Sequence, residues 1–179
     1  MFKSALYQLF VPMGRTRPRT FWTWLAVFAV LVVSFQWGLL QHDTGGAFYF
    51  WGYLTFMVML FCGVFGIYGK RLKDFGRSVG WVILAITLIL LVLMAAVLVY
   101  GGADYFAEYS QYERKAAIDP AVRERLNADF ERELAGSGRF VAIGTGAIMV
   151  LFTLWVGLTR GDAGDNRYGP APKDAVADA

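Results

Sequence analysis

The chain has almost no residues of the kinds that serve as nucleophiles or soft metal ligands, with one cysteine, Cys62, and one histidine, His42. A single cysteine cannot form an intramolecular disulfide, and so few Cys and His residues exclude a zinc site built from them. The net charge at pH 7 is only +3, which gives no indication of nucleic-acid binding. No pattern of residues predicts a catalytic, cofactor or metal site, so we predict that the protein is not an enzyme.

Charge is also missing from four long apolar segments. Residues 21–40, 47–68, 81–100 and 140–159 contain no Asp, Glu, Lys, Arg or His. About 20 apolar residues cross the hydrocarbon core of a bilayer, and runs that are continuously apolar predict helices and not barrel strands. Hydrophobic residues make up 57% of the chain, and the mean hydropathy is +0.46. The sequence therefore predicts an all-α, polytopic membrane protein with four transmembrane helices, helices 1 to 4.

The distribution of Lys and Arg between these helices predicts their orientation. Four basic residues precede helix 1, residues 41–46 contain none, residues 69–80 contain four, and three follow helix 4. The connection 101–139 contains six basic residues, but it is much longer and also carries eight acidic ones. We therefore predict that both termini (residues 1–20 and 160–179) and the connection 69–80 lie in the cytoplasm.

The two ends of the chain differ in composition. Apolar residues ahead of helix 1 predict a short helix on the membrane surface at residues 2–11, which Pro12 and Gly14 would end. Residues 171–179, APKDAVADA, contain few large apolar residues. We predict that this last segment is a disordered tail.

The connection 101–139 is predicted to form an external helical hairpin between helices 3 and 4. Asp119-Pro120 has the sequence of a helix start, and Gly136-Ser137-Gly138 that of a helix end. Apolar and aromatic residues recur at helical spacing in both halves: Tyr105, Tyr109, Tyr112 and Ala116, then Val122, Leu126, Phe130 and Leu134. These stripes would pack on each other and on the membrane; the alternative is a lobe that docks a partner protein.

Three stretches on the predicted cytoplasmic side carry motifs: GRTRPRTFW before helix 1, RLKDFGRSVGW before helix 3 and GDAGDNRYGPAP after helix 4. In sequence and order they resemble DUF805, a family of uncharacterised bacterial inner-membrane proteins. The resemblance implies a small multi-helix protein of that membrane without an established activity. Lys73 replaces a histidine of the family motif, and Pro18 a basic residue. The matching residues are Gly14, Arg15, Phe21, Trp22, Arg71, Leu72, Asp74, Gly76, Arg77, Ser78, Gly80, Trp81, Gly161, Gly164, Asn166, Arg167, Tyr168, Gly169, Pro170 and Pro172.

These three stretches are predicted to meet as a cytoplasmic cap. Asp74 is the only acid in its connection, so we expect it to pair with Arg15 or Arg167 and tie the segments together. The cap could hold the helices together, contact anionic phospholipid headgroups through four surplus basic residues, or bind a soluble anion. The four are Arg15, Lys70, Arg71 and Arg77. Its candidate residues are Arg15, Lys70, Arg71, Asp74, Arg77, Ser78, Trp81, Asn166, Arg167 and Tyr168.

Small residues indicate where helices approach closely. Gly63 and Gly66 lie in helix 2, and Ala142 and Gly146 form a small-xxx-small pair in helix 4. They would pack within one chain or between copies in a homo-oligomer.

The scarcity of polar residues in the helices bears on function. We expect a non-catalytic accessory or scaffold component that contacts anionic lipid and a membrane-protein partner. The alternative is a small oligomeric transporter or channel lined by weakly polar residues such as Gln36, Thr55 and Thr145. An intramembrane enzyme ranks third, since no nucleophile with an adjacent base is evident.

Overall fold

A computed structural model describes residues 9–11, 13–42, 46–112 and 118–170 of the chain. Four helical stretches within these residues are long and apolar enough to cross a membrane: Pro18–Leu40, Ala47–Asp74, Gly80–Tyr109 and Gly138–Leu158. The predicted all-α fold with four membrane-spanning helices is confirmed. The predicted tail at 171–179 and most of the predicted surface helix lie outside the described residues. The helices are α1 (Pro18–Leu40), α2 (Ala47–Asp74), α3 (Gly80–Val97), α4 (Ala103–Tyr109), α5 (Pro120–Gly136) and α6 (Gly138–Leu158).

The chain divides into two compact units, and the boundary falls within α3 and within α6. The terminal unit comprises Met1–Ile83 and Thr153–Ala179, and the central unit comprises Leu84–Phe152. The terminal unit thus contains all three sequence motifs, and the central unit contains the connection between the last two long helices.

In the terminal unit, α1 and α2 approach closely at glycines of α2. The ring of Phe28 lies directly over Gly63, where a Cβ would overlap it. Gly66 lies beneath the backbone carbonyl of Leu9, a residue that is only 4% exposed. Gly63 thus allows a close approach to α1, and Gly66 a close approach to the segment before it. Leu9 and Phe10 pack on these helices, since the ring of Phe10 also contacts that of Phe28 at 6.5 Å between centroids.

Helix α2 extends six residues beyond the predicted end at Tyr68 and finishes at Asp74. The apolar run marks the part of a helix that can lie in hydrocarbon, whereas the backbone stays helical until a specific signal ends it. That signal is Gly76, which adopts φ +70°. Its N–H donates to Lys73 O at 3.3 Å, and the N–H of Arg77 donates to Leu72 O at 2.9 Å. This is the Schellman arrangement, in which glycine supplies the left-handed residue.

The central unit contains a break at the end of α3. The turn Leu98–Gly102 is π-helical, with Tyr100 and Gly101 outside helical geometry, and α4 follows directly. The chain then returns through α5, whose first turn is capped as predicted, because Asp119 Oδ1 accepts from Ala121 N at 2.8 Å. The predicted helix through 116 instead ends at Tyr109, and residues 113–117 lie outside the described part.

Helices α4 and α5 pack on each other through the predicted stripes. The rings of Tyr105 and Phe130 are 5.0 Å apart, and the Tyr105 hydroxyl donates to Asn127 Oδ1 at 3.1 Å. Leu126 is only 5% exposed. The contact between the two helices therefore consists of apolar burial with one polar link.

The predicted pair of small residues in α6 does not lie at a contact within the described chain. A Cβ on Gly146 would have nothing within 4 Å, and Ala142 is exposed. The close approach occurs instead at Gly144, where a Cβ would lie 2.8 Å from Cγ1 of Val92 in α3. Which glycine of α6 allows the close approach depends on the residue that faces it from α3. A single sequence does not reveal that residue.

We expect Gly63→Ala to lower the free energy of unfolding by about 1–3 kcal/mol, because the new methyl group overlaps the Phe28 ring. Gly146→Ala is the matched control: it makes the same change in an α-helix with open space around it, and gains up to about 1 kcal/mol in helix propensity. The measurement is denaturant unfolding in detergent micelles. Equal effects of the two substitutions would contradict the packing described for Gly63.

Candidate functional site

One carboxylate, that of Asp74 at the end of α2, joins two arginines from different segments. Arg15 Nε lies 3.3 Å from Asp74 Oδ1, and Arg71 Nη1 donates to Asp74 Oδ2 from one helical turn earlier. The expected pair of Asp74 with Arg15 is confirmed. The second partner is Arg71 and not Arg167. We call these three residues the Arg–Asp cluster.

Arg71 closes the end of α6. Its Nε donates to the backbone carbonyl of Val156 at 3.1 Å, and its Nη2 donates to that of Thr159. The last four carbonyls of a helix have no partner within it and carry partial negative charge. A guanidinium at that position satisfies them and complements the helix dipole. Nη1 also donates to Thr16 O at 3.3 Å, so Arg71 reaches the segment before α1.

Arg15 holds the segment that follows α6. Its Nη1 donates to the carbonyls of Gly164 at 2.7 Å and Gly169 at 3.2 Å. Its Nη2 donates to Asp162 O at 2.6 Å and to the carbonyl of Asp74 at 3.2 Å. The fixed fork of a guanidinium makes such divergent contacts possible, whereas an ammonium group lacks that geometry. Arg15 therefore binds two turns of the C-terminal segment to the end of α2.

The cluster is buried, and its charges are nearly balanced. The side chains of Arg15, Arg71 and Asp74 are 1%, 0% and 3% exposed. Two buried cations face one carboxylate and the C-terminal ends of α2 and α6, each equivalent to about half a negative charge. Removing charges from water is costly unless they are paired and hydrogen-bonded. This arrangement provides both kinds of compensation.

Glycine is required where the C-terminal segment crosses Asp74. A Cβ on Gly161 would overlap the Asp74 carboxylate. The backbone N–H of the next residue, Asp162, donates to Asp74 O at 2.8 Å. The close approach of the two backbones thus depends on the missing side chain.

The predicted turn Asn166 to Pro170 packs on the end of α2. Asn166 and Gly169 exchange backbone hydrogen bonds at 3.2 and 2.9 Å, and Asn166 Nδ2 donates to Lys73 O at 3.0 Å. Arg167 Nη2 donates to Gly76 O at 2.8 Å, and its guanidinium lies over the Tyr168 ring at 4.7 Å from the centroid. These contacts attach the third motif to the second.

The ten residues expected to form the cap separate into a buried and an accessible group. Lys70, like the Arg–Asp cluster, is buried, at 2% exposure, which removes three of the four basic residues expected to face headgroups. Arg77, Ser78 and Arg167 are exposed, and Trp81 is 39% exposed. Asn166 and Tyr168 are half-buried. Among the residues that the structure describes, no three His, Cys, Asp or Glu side chains lie close enough to hold a metal ion.

Sequence reasoning missed the groups that the arginines bind. Most are backbone carbonyls, such as those of Thr16, Val156 and Thr159, and a backbone carbonyl gives no signal in a residue pattern. The available signal was Arg71 itself. An arginine directly after a long apolar helix, with no acid nearby except Asp74, needs other acceptors, and helix ends supply them.

We expect Asp74→Asn to lower the free energy of unfolding by about 3–5 kcal/mol, because it leaves two arginines buried with their charge uncompensated. Asp129→Asn on α5 is the control. Asp129 pairs with Arg132 at 3.2 Å, but its side chain is 50% exposed, so its loss should cost below about 1 kcal/mol. Denaturant unfolding of both variants in the same detergent measures the difference. A small effect at Asp74 would show that the cluster does not hold these segments together.

Comparison with known proteins identifies the family of this chain. A family model described as "Protein of unknown function (DUF805)" matches residues 9–170, which include all six helices and most of the three motifs. Searches of curated proteins and of solved structures found no match. The matched segment covers most of the chain and includes every member of the Arg–Asp cluster. The chain therefore belongs to the DUF805 family, as its motifs predict.

Proposed function

We propose that this membrane protein is a non-catalytic accessory or scaffold component of a bacterial inner membrane, with both termini in the cytoplasm and exposed arginines on anionic lipid. The observation that carries the proposal is the closed Arg–Asp cluster. Both carboxylate oxygens of Asp74 accept from arginine, and both arginines donate to backbone carbonyls of other segments. A group whose polar atoms are all bound within the protein is suited to holding segments together and not to binding a substrate.

The orientation rests on the basic residues. The cluster brings together the segment before α1, the end of α2 and the segment after α6, and these are the segments rich in Lys and Arg. Such residues favour the cytoplasmic side. The same rule assigns α4 and α5 to the outside.

The surface of α5 bears on the choice between a self-packed hairpin and a docking lobe. Val122, Leu126, Phe130 and Leu134 are all buried or half-buried. The outward positions Arg123, Glu124, Asn127 and Glu131 are polar and exposed. Because α5 exposes no large apolar side chain and α4 exposes one, Phe106, we favour a hairpin whose α5 face is solvated, and we place the partner contact on the membrane helices.

The alternative role as a transporter or channel has weaker support. The hydroxyls of Thr55 and Thr145 donate to carbonyls of their own helices, at 2.9 and 2.7 Å. Neither side chain therefore offers a free hydroxyl proton to a solute. Gln36 Oε1 is buried without a hydrogen-bond partner in the described structure, but a single such atom does not define a path.

The proposed orientation can be tested with single cysteines, since Cys62 is the only native one. In a Cys62→Ala background, Ser78→Cys and Glu124→Cys place thiols at two exposed positions. In intact spheroplasts, a membrane-impermeant maleimide should label position 124 at once and position 78 only after permeabilisation. The Cys62→Ala parent is the control for background labelling. The reverse pattern would overturn the orientation.

The accessory role predicts a stoichiometric partner on the membrane helices. Particles extracted in native lipid should contain a second protein or a second copy in fixed ratio, measured by native mass spectrometry. We expect Gly146→Leu, which fills an open position on α6, to reduce that ratio several-fold. Glu124→Leu on α5 is the control and should leave it unchanged. Particles that contain no second protein and that transport a solute in liposomes would contradict this role and favour the oligomeric transporter.

A further inference from the structure

Arg77 differs from the other basic residues of the connection 69–80 in its exposure to solvent. Lys70 and Arg71 are buried and Lys73 is half-buried, whereas Arg77 is exposed in the turn between α2 and α3. Its backbone is fixed, because its N–H donates to Leu72 O at 2.9 Å in the Schellman motif. Arg77 thus presents a cation from a rigid turn.

A second exposed arginine lies beside this turn. Arg167 Nη2 is 2.8 Å from the carbonyl oxygen of Gly76, the residue directly before Arg77. Its guanidinium is also positioned by the ring of Tyr168. Two accessible guanidinium groups are therefore found at this turn, that of Arg77 within it and that of Arg167 bound to its backbone. Asp162 also lies beside this turn, with its Oδ2 3.4 Å from where a Cβ on Gly76 would be, and it accepts from Asn166 Nδ2 at 2.7 Å.

An exposed aromatic surface adjoins the same turn. Trp81 lies four residues after Arg77, in the first turn of α3. Its ring is 5.2 Å from that of Trp155, and the ring of Phe75 is 5.7 Å from that of Trp155. The two indoles are 39% and 37% exposed. Tryptophan at such positions lies at the level of lipid headgroups. Basic groups and exposed indoles next to one another form a surface that complements a phospholipid, whose phosphate carries the charge and whose acyl chains are apolar.

We propose that Arg77 and Arg167 bind the phosphate of one anionic phospholipid, whose glycerol and upper acyl chains lie against Trp81 and Trp155. This site deepens the proposed function, on whose lipid contact and orientation it rests. A phospholipid fits better than a soluble anion because its glycerol and acyl chains would cover the exposed surface of the two indoles, which an inorganic phosphate would leave in water. The proposed site binds one lipid and can be saturated. In this it differs from a general attraction of anionic lipids to the basic residues of the terminal unit.

The test measures lipid binding to the full chain in nanodiscs of zwitterionic lipid with increasing phosphatidylglycerol, followed by native mass spectrometry. Arg77→Gln and Arg167→Gln should each weaken binding of the anionic lipid about fivefold, the loss expected for one basic residue near the surface. Trp81→Ala should weaken it too. Arg19→Gln and Arg160→Gln, exposed in the same unit, and Arg123→Gln on α5 are matched controls and should change it less than twofold. Thermal unfolding of every variant checks that the fold is retained.

The outcomes separate this site from the proposed function. If Arg19→Gln and Arg160→Gln weaken binding as much as Arg77→Gln, the contact is diffuse; the defined site is overturned and the general lipid contact stands. If inorganic phosphate alone displaces the lipid, the site binds soluble anions, and the phospholipid assignment is overturned. If the unaltered protein shows no preference for phosphatidylglycerol, the site and the proposed lipid contact both fail.

Discussion

The fold of the terminal unit depends on the desolvation of Arg71. A guanidinium that is 0% exposed must find acceptors for its donors. It finds one on Asp74 of its own helix and others on two segments distant in sequence, the carbonyl of Thr16 before α1 and the end of α6. Each contact fixes a different part of the chain. Because one unpaired donor or charge would cost several kcal/mol, the positions of these segments are coupled through a single side chain.

Much of the fold could be predicted from hydropathy, because the bilayer requires long charge-free runs and satisfied backbones. The four spans were predicted within a few residues, except at the end of α2. There the apolar run ends at Tyr68 but the helix continues to Asp74, since Gly76 and not polarity terminates it. The break at Gly101 was also not predicted, because a glycine pair at a helix end is consistent with either a turn or a kink.

The site was predictable in its residue types and less so in its geometry. A lone carboxylate among arginines predicts pairing, and the pair with Arg15 is present. Burial could not be predicted from the same residues, since Arg71 and Arg77 are chemically identical and six positions apart. Arg71 lies in α2 against the end of α6, whereas Arg77 lies in the exposed turn after Gly76. The difference depends on where the helix ends and on a neighbour more than eighty residues along the chain. The same holds for the glycines of α6. Gly144 and Gly146 are the same residue type two positions apart, but only Gly144 faces Val92.

The order of synthesis gives the Arg–Asp cluster a further significance. Arg15, Arg71 and Asp74 leave the ribosome well before Val156, Thr159 and the glycines that Arg15 binds. Until α6 has been made, the guanidinium of Arg71 lacks two of its backbone acceptors, and water must take their place. A nascent chain with three helices inserted is therefore still hydrated at this point. Synthesis of α6 and of the segment after it excludes that water, so the cluster can close only once residues up to Gly169 have been made.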